Sequence, residues 1–501
     1  MKKRRVITML VHHLIFQGKQ EDFAFLGARD EAVTYGQLQS YVAAYRNFFY
    51  AQGIRAGENV GLFSRNCVEF VYSYLAIVSL GAVVVPLNFQ LTEQEAAYIL
   101  KDAQVNYLVT ERDMYLPVTS LVFAEFKEAV ALKNDPAASV LEDSPENEQR
   151  PCAIIYTSGT TGKPKGAVLS HRNLISNAHS YRQVLPMVPE DRVLCVLPMY
   201  HCFAWTCSVL TTLLGGAAIT ILDAFAPKET LAAIRDYQVT VIYAVPTMYN
   251  VLLRTGEAED LASVRACISG GAPLPEKIAK RFQEKFGQEI LEGYGLSEAS
   301  PVVSLNPPGR VKPCSIGRPL PGVNVKIEGG KGLVPPGTVG ELLVQGPNVM
   351  LGYYNLPQET ARALRQDWLH TGDLAYLDAE GYIHIVDRLK DMIIVSGENI
   401  YPREIEELLY KYPGIVEAAV IGVPDELRGQ AARAYLVFAE GHVFNKKELR
   451  DYLQAALAAY KVPKDFVVLD VLPKNQTGKI LKRVLRDRAL GEDGDSVETE
   501  E

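Results

Sequence analysis

Short apolar runs separated by helical stretches are the feature of this chain that most limits its fold. They fall at Val60 to Phe63, Val83 to Leu87, Asn106 to Val109, Val193 to Val196, Ala218 to Leu222, Val239 to Val245 and Ala266 to Ser269. Each has the length of a strand, and strands apolar on both faces need cover on both faces. The alternation predicts an α/β fold of mainly parallel sheets covered by helices. At 501 residues the chain exceeds one ordinary core, so two or more domains are expected.

The longest uncharged stretch, Phe70 to Thr92, could span a membrane by length alone. Gly81, Pro86, Asn88 and Gln90 break it. It reads as a buried helix up to Leu80 followed by a buried strand, and no transmembrane span is expected. Lys2 to Arg5 before an apolar run imitates a signal peptide, but His12 and His13 interrupt the run and no small-residue cleavage site follows. A first amphipathic helix is the expectation there. Glu142 to Arg150 reads as an exposed loop. From Gly340 the strands shorten, as at Glu341 to Gln345 and Tyr382 to Val386. After Asp391 a strand–helix–strand–strand–helix unit of roughly 110 residues has the size of a small domain.

Charge excludes one class of function. The net charge of −8 argues against a nucleic-acid surface. Glu492, Asp493, Asp495, Glu498, Glu500 and Glu501 carry six of those charges, so the rest of the chain stands near neutrality. Seven cysteines, an odd number without C-x-x-C spacing, sit mostly in apolar runs. That suits reduced thiols in a cytoplasmic protein better than a disulfide framework or a zinc site.

The strongest local signal is Tyr156 to Gly166 (YTSGTTGKPKG). Glycines flank paired threonines, and hydroxyls and two lysines crowd the same stretch. Such a loop offers backbone N–H groups, hydroxyls and positive charge to a polyphosphate. It is not a P-loop, because Pro164 stands where the hydroxyl should follow the lysine.

This segment resembles the signature loop of the adenylate-forming superfamily, which contains acyl-CoA synthetases, luciferase and the adenylation domains of peptide synthetases. Seven further motifs follow in that family's order. They are Leu197 to His201, Ser269 to Pro273, Gly293 to Glu298, Thr371 to Asp373, Asp387 to Asp391, Ser396 to Asn399 and Asn475 to Lys479. The resemblance runs from Thr34 to Lys479 and lies closest to bacterial medium- and long-chain fatty-acid–CoA ligases. It implies a large N-terminal domain with a small β-barrel-like subdomain over 1–389, and a small mobile α+β domain over 390–490. Residues 491–501 are expected to form an acidic, disordered tail.

The resemblance also implies the site. Thr157, Ser158, Gly159, Thr160, Thr161 and Lys165 would hold the phosphates. Gly270, Gly271 and Ala272 would lie against adenine, with Gly293, Tyr294, Gly295 and Ser297 opposite; glycines admit a flat ring close to the backbone. Asp373 would accept the ribose hydroxyls and Arg388 would add a ribose or phosphate contact. Glu298, with Thr160, would bind Mg²⁺, which needs a carboxylate ligand. Lys479 would bridge the two anions that must meet when a carboxylate attacks the α-phosphorus of ATP. Lys390 would be the hinge of a domain rotation, after which Gly397 leaves room for coenzyme A. Luciferase-like members carry a second lysine shortly after the hinge; Ile394 stands there in this chain.

His201 and Trp205 match the acyl-pocket positions, and His201 also the catalytic junction. The segment His201 to Trp205 has no carboxylate to pair an ammonium, which disfavours amino acids. An apolar acid fits better, either a fatty acid or, as the nearest rival, a phenylpropenoic acid. An acyl-AMP ligase that loads a carrier protein is a third reading. Lys479, Glu298 and Asp373 together argue against a nucleotide-binding pseudoenzyme. The expected small molecules are ATP, Mg²⁺, coenzyme A and a carboxylic acid. Peripheral membrane contact and a homodimer are left open.

Overall fold

A computed structural model describes residues 9–28, 31–125, 139–157, 164–330, 332–396, 398–442, 444–474 and 480–492. Among these residues the chain forms two large, mainly parallel sheets, an antiparallel sheet and a separate C-terminal sheet.

The first large sheet runs in the order Arg318–Pro319, Val302–Leu305, Ile290–Gly295, Ala266–Ser269, Val241–Ala244, Arg192–Cys195, Ala218–Ile221, Phe23–Ala28 and Glu31–Thr34. Its strands from Ile290–Gly295 through Phe23–Ala28 are parallel, and the two ends are closed by antiparallel pairs. The second runs Gly352–Tyr353, Lys165–Ser170, Pro151–Thr157, Val83–Leu87, Asn59–Phe63, Tyr107–Thr110 and Thr119–Val122. Between the two lies the helix Val68–Ser79, in which every residue is buried. From Phe70 on the helix is uncharged and buried on every side, which explains the stretch that imitated a membrane span; its one charged residue, Glu69, lies in the first turn. No described helix is long and apolar enough to cross a membrane.

The expected barrel-like subdomain is an antiparallel sheet built from Asn324–Gly329, Gly340–Gln345, Trp368–Leu377 and Ile383–Arg388. The C-terminal sheet contains Ile393–Val395, Ile415–Asp425, Gly429–Phe438 and Asp465–Val468, with the helices Pro402–Lys411 and Lys446–Ala456 on one face. The helix Lys482–Glu492 packs on the other face and takes in 491 and 492, so the tail expected from 491 is corrected at its start; 493–501 lie outside the described residues.

Polar side chains fix the helices that frame the site. Ser170 and Asn173 form a capping box at the start of His171–Val184, which satisfies two end donors reciprocally. Asn173 also donates to the Pro347 and Val349 carbonyls, and Asn177 to that of Val302, tying the helix to the loop before Gly352–Tyr353 and to the strand Val302–Leu305 of the first sheet. Arg403 seats the helix Pro402–Lys411 on the antiparallel sheet. Its backbone N–H meets Asp387 Oδ2 at 2.9 Å and its guanidinium meets the Ile385 carbonyl at 2.9 Å.

Two local expectations need correction. The stretch Glu142 to Arg150 is not all loop: Ser144 caps a short helix, Pro145–Glu148, with proline at its first position. The first helix, Val11–Phe16, is a 3-10 turn that buries His12 rather than displaying it. Burial pushes the His12 imidazole down to about 2, helped by His13, His171 and Arg46. Burial likewise pushes His171 down to about 3, with His13 and Arg150 adding to it, while its Nδ1 accepts the Val11 N–H. Around them, Asp143 pairs with His13 and Glu148 accepts the Met9 N–H.

Both histidines are therefore neutral in the folded chain and protonate near 6.5 when unfolded. Their contribution to stability is complete above pH 6.5 and is lost as pH falls below it. Between pH 6.5 and 5 the two histidines contribute a fall in stability whose slope approaches about 2.7 kcal/mol per pH unit, and the buried Glu292, which is pushed up to about 7 and so binds its proton only in the folded chain over this window, offsets about half of it. Denaturant titrations across that window check this. His12→Phe should flatten the slope, and an unchanged slope would remove His12 as a cause.

Candidate active site

The candidate residues gather at the carboxyl ends of the parallel strands, where an α/β sheet leaves an open crevice. Ser269 pairs with Glu292 on the neighbouring parallel strand. Gly270 and Gly293, each the next residue, therefore stand side by side at the sheet's edge. A Cβ on Gly270 would come 3.1 Å from the Phe203 ring, and Gly271 takes a positive φ of 78° that favours glycine. Gly295 is held for another reason as well: a Cβ there would lie 2.4 Å from the Pro301 carbonyl oxygen.

Three of the predicted groups form one chain. The Tyr294 hydroxyl donates to Asp373 Oδ2, and Arg388 Nε meets Asp373 Oδ1 at 3.2 Å. Asp373 and Arg388 are directly paired across adjacent antiparallel strands, which accounts for their meeting. Thr371 is anchored on the Leu342 carbonyl and accepts the Asp373 N–H, fixing the turn. Burial opposes the charge on Arg388, but Asp373 and its other neighbours outweigh it and the guanidinium pKa is raised. Burial and the adjacent Asp373 carboxylate push the Tyr294 phenol well up, so it remains a donor.

The signature hairpin supplies a second cluster. Pro151–Thr157 and Lys165–Ser170 are its antiparallel arms, with Thr157 opposite Lys165. Lys165 forms an ion pair with Glu359 and lies 5.6 Å from the centroid of the Tyr353 ring. Glu298 sits on the 3-10 turn Ser297–Ala299, and its Oε1 accepts the Tyr353 hydroxyl at 2.8 Å. Ser297 Oγ lies 3.3 Å from the Cys202 Sγ, which joins this turn to the His201 segment.

His201 opens the next element. Its Nδ1 accepts the Phe203 N–H and its carbonyl accepts the Trp205 N–H. A π-helical segment, Ala204–Leu210, follows and is wholly buried. π-Helical turns widen a helix and are frequent at functional sites. Trp205, at 2% exposure, packs 3.9 Å from the Tyr74 ring and 5.7 Å from Phe70.

Lys390 lies at the junction between the antiparallel sheet and the C-terminal sheet, beside the Asp391–Arg486 ion pair at 2.5 Å. Burial lowers its pKa, and Arg388 adds to the effect. Ser158, Gly159, Thr160, Thr161, Gly397 and Lys479 lie outside the described residues.

Sequence reasoning missed Tyr353, Glu359 and Glu292. Tyr353 is 55 residues from Glu298 and Glu359 is 194 from Lys165, so no local pattern links them. Glu292 is the residue before Gly293, in the strand Ile290–Gly295, which the apolar runs did not mark. Its buried carboxylate accepts the Leu274 N–H, and burial pushes it up to about 7 against the pull of Arg403.

A family model described as AMP-binding enzyme matches residues 16–354, and one described as AMP-binding enzyme C-terminal domain matches 404–479. The chain belongs to the AMP-binding enzyme family. Among its curated relatives is a feruloyl-CoA synthase from Amycolatopsis sp, 39% identical over 462 residues, covering 91% of this chain and 94% of that protein. A long-chain-fatty-acid–CoA ligase from Bacillus subtilis (strain 168) is 36% identical over 486 residues, covering 87% of each. The o-succinylbenzoate coenzyme A synthetase from Bacillus subtilis, solved in complex with ATP and magnesium, superimposes with a TM-score of 0.84. It is 31% identical, with 96% of this chain and 99% of that one covered. This family member is an enzyme of the AMP-forming acyl- or aryl-CoA ligase class.

Proposed function

We propose that the ligase converts a medium- to long-chain fatty acid to its acyl-adenylate with release of pyrophosphate, then to the coenzyme A thioester with release of AMP. The observation that carries the nucleotide part is the chain Tyr294–Asp373–Arg388 beside the paired glycines Gly270 and Gly293. The glycines present bare backbone to a flat base, and the carboxylate beside them is held in place by Tyr294 and Arg388 to accept hydroxyls. Lys165 and Thr157 at the hairpin mouth supply charge and hydroxyl to a polyphosphate. Glu298, an oriented carboxylate on a short turn, fits a Mg²⁺ ligand. Held by Glu298 together with Thr160, the ion would supply positive charge to offset that of the polyphosphate.

The two half-reactions ask for different surroundings. In the first, Lys479 holds the acid carboxylate against the α-phosphate, and Arg388 adds charge to the nucleotide side. In the second, the domain over 390–490 turns about Lys390 relative to 1–389 and brings Gly397 towards the site. His201 separates the acyl pocket from the reacting carbonyl. The bacterial long-chain-fatty-acid–CoA ligase relative supports the aliphatic acid. The feruloyl-CoA synthase relative favours a second reading, a hydroxylated phenylpropenoic acid.

A pyrophosphate-release assay across acetate, octanoate, palmitate and ferulate, with and without coenzyme A, tests both. Each buried CH₂ contributes roughly 0.8 kcal/mol, so kcat/KM should rise about fourfold per CH₂ until the pocket is full. Octanoate and palmitate should then exceed acetate by several orders of magnitude. Ferulate above both would replace the fatty-acid reading and leave the ligase class intact.

A further inference from the structure

We propose that Tyr353 is the positioning residue for Glu298: its phenol fixes one oxygen of that carboxylate and thereby aims the other at the magnesium ion that accompanies ATP. The inference rests on the reading of Glu298 as a metal ligand.

The geometry is pinned at both ends. Tyr353 lies on the two-residue strand Gly352–Tyr353, paired antiparallel to Lys165–Ser170 with Tyr353 opposite Ala167. Its backbone N–H donates to Thr360 Oγ1 at 2.8 Å, which fixes the strand to the helix Pro357–Ala363. The Glu298 carbonyl accepts the Met350 N–H at 2.8 Å, so the turn bearing Glu298 is docked on the same segment. Between these anchors the phenol spans to Glu298 Oε1 at 2.8 Å. Burial and the neighbouring Glu298 raise the Tyr353 pKa, so the hydroxyl serves as a donor.

This arrangement does for a carboxylate what outer partners do for metal ligands in general. It sets the plane of the ligand and leaves the second oxygen for the ion, and loss of such a partner typically weakens metal binding 10- to 100-fold. The same ring faces the Lys165 ammonium, whose ion-pair partner Glu359 lies on the helix that anchors Tyr353. One short strand thus sets the spacing between a cation for the phosphates and a carboxylate for the metal.

The test measures binding rather than turnover. Calorimetric titration with the non-cleavable α,β-methylene analogue of ATP, in Mg²⁺ and in EDTA, gives the affinity increment contributed by the metal. Tyr353→Phe, which keeps the ring over Lys165, should reduce that increment at least tenfold and change the affinity in EDTA by less than about twofold. Tyr353→His, which retains a ring N–H donor, should recover part of the loss. Equal weakening with and without Mg²⁺, in either variant, would make Tyr353 merely structural and overturn the inference. Glu298→Gln separates the two levels of the argument. If it removes the increment while Tyr353→Phe keeps it, the positioning role falls and the metal reading stands. If Glu298→Gln keeps the increment, the metal reading falls and the inference falls with it.

Discussion

Lys479→Ala is expected to slow adenylate formation by at least ~100-fold while pre-formed acyl-adenylate still reacts with coenzyme A. The asymmetry follows from charge. Only the first step brings a carboxylate anion against a polyphosphate, so only that step needs a compact cation between them. In the second step a thiol attacks the acyl carbonyl, loses its proton and expels AMP, so no carboxylate has to be pressed against the α-phosphate. Lys479 lies outside the described residues, as do 475–478, and the described residues on either side of this stretch are Lys474 and Ile480. Lys474 and Ile480 form an isolated antiparallel bridge, and Lys474 pairs with Glu417 on the strand Ile415–Asp425. Both ends of the lysine's segment are therefore anchored to the C-terminal sheet, and a rotation of that sheet carries the lysine with it. Rapid-quench measurement of the two half-reactions, with labelled ATP for one and isolated acyl-adenylate for the other, checks the prediction. Equal losses in both steps would mean that Lys479 acts through structure, or that no rotation separates the steps.

The parallel sheets were legible because they obey one rule. A strand buried on both faces must be apolar throughout, and Val83–Leu87 and Ala266–Ser269 have the bounds their apolar runs predict. The helix Val68–Ser79 was legible for the same reason. Strands with one wet face were harder. Trp368–Leu377 mixes histidine and aspartate with apolar residues and does not alternate cleanly, and a register shift interrupts its pairing with Gly340–Gln345; Asn324–Gly329 alternates, with Lys326 and Glu328 between apolar residues, but is only six residues long. Ile393–Val395 was marked by its own apolar run after Asp391, whereas Glu398–Ile400, mostly polar, is a strand through its pairing with it.

The same contrast governs the site. Residues inside contiguous motifs, such as Tyr294 and Glu298, could be found from the sequence because the motif itself places them. Tyr294, Asp373 and Arg388 come from three motifs, and their meeting is decided by the pairing of Asp373 with Arg388 across two strands. Tyr353 and Glu359 stand in no motif that the sequence reading used. Their partners are chosen by the pairing of Gly352–Tyr353 with the signature hairpin, a long-range contact that no local pattern encodes.

Trp205→Ala should have the largest effect on stability of any change considered, a loss of about 3–5 kcal/mol. The indole is almost fully enclosed, with Tyr74 and Phe70 against it and a wholly buried π-helical segment around it. Aromatic packing of this kind relaxes little when the ring is removed, so a cavity remains. That cavity opens one turn after His201, since the Trp205 N–H is bonded to the His201 carbonyl. If the acyl chain runs past the indole, the vacated volume adds to the end of its pocket. The preferred acid should then lengthen by several carbons while KM for ATP changes less than about twofold, because the indole packs on Tyr74 and Phe70, whereas Asp373 is held by Tyr294 and Arg388. Denaturant unfolding and kcat/KM for acids from butyrate to palmitate, measured on the same preparations, read the two consequences separately. A stability loss with an unchanged chain-length profile would make Trp205 a core residue and remove it from the acyl pocket. A shifted profile with little loss of stability would mean that the ring is less tightly packed than its contacts with Tyr74 and Phe70 require.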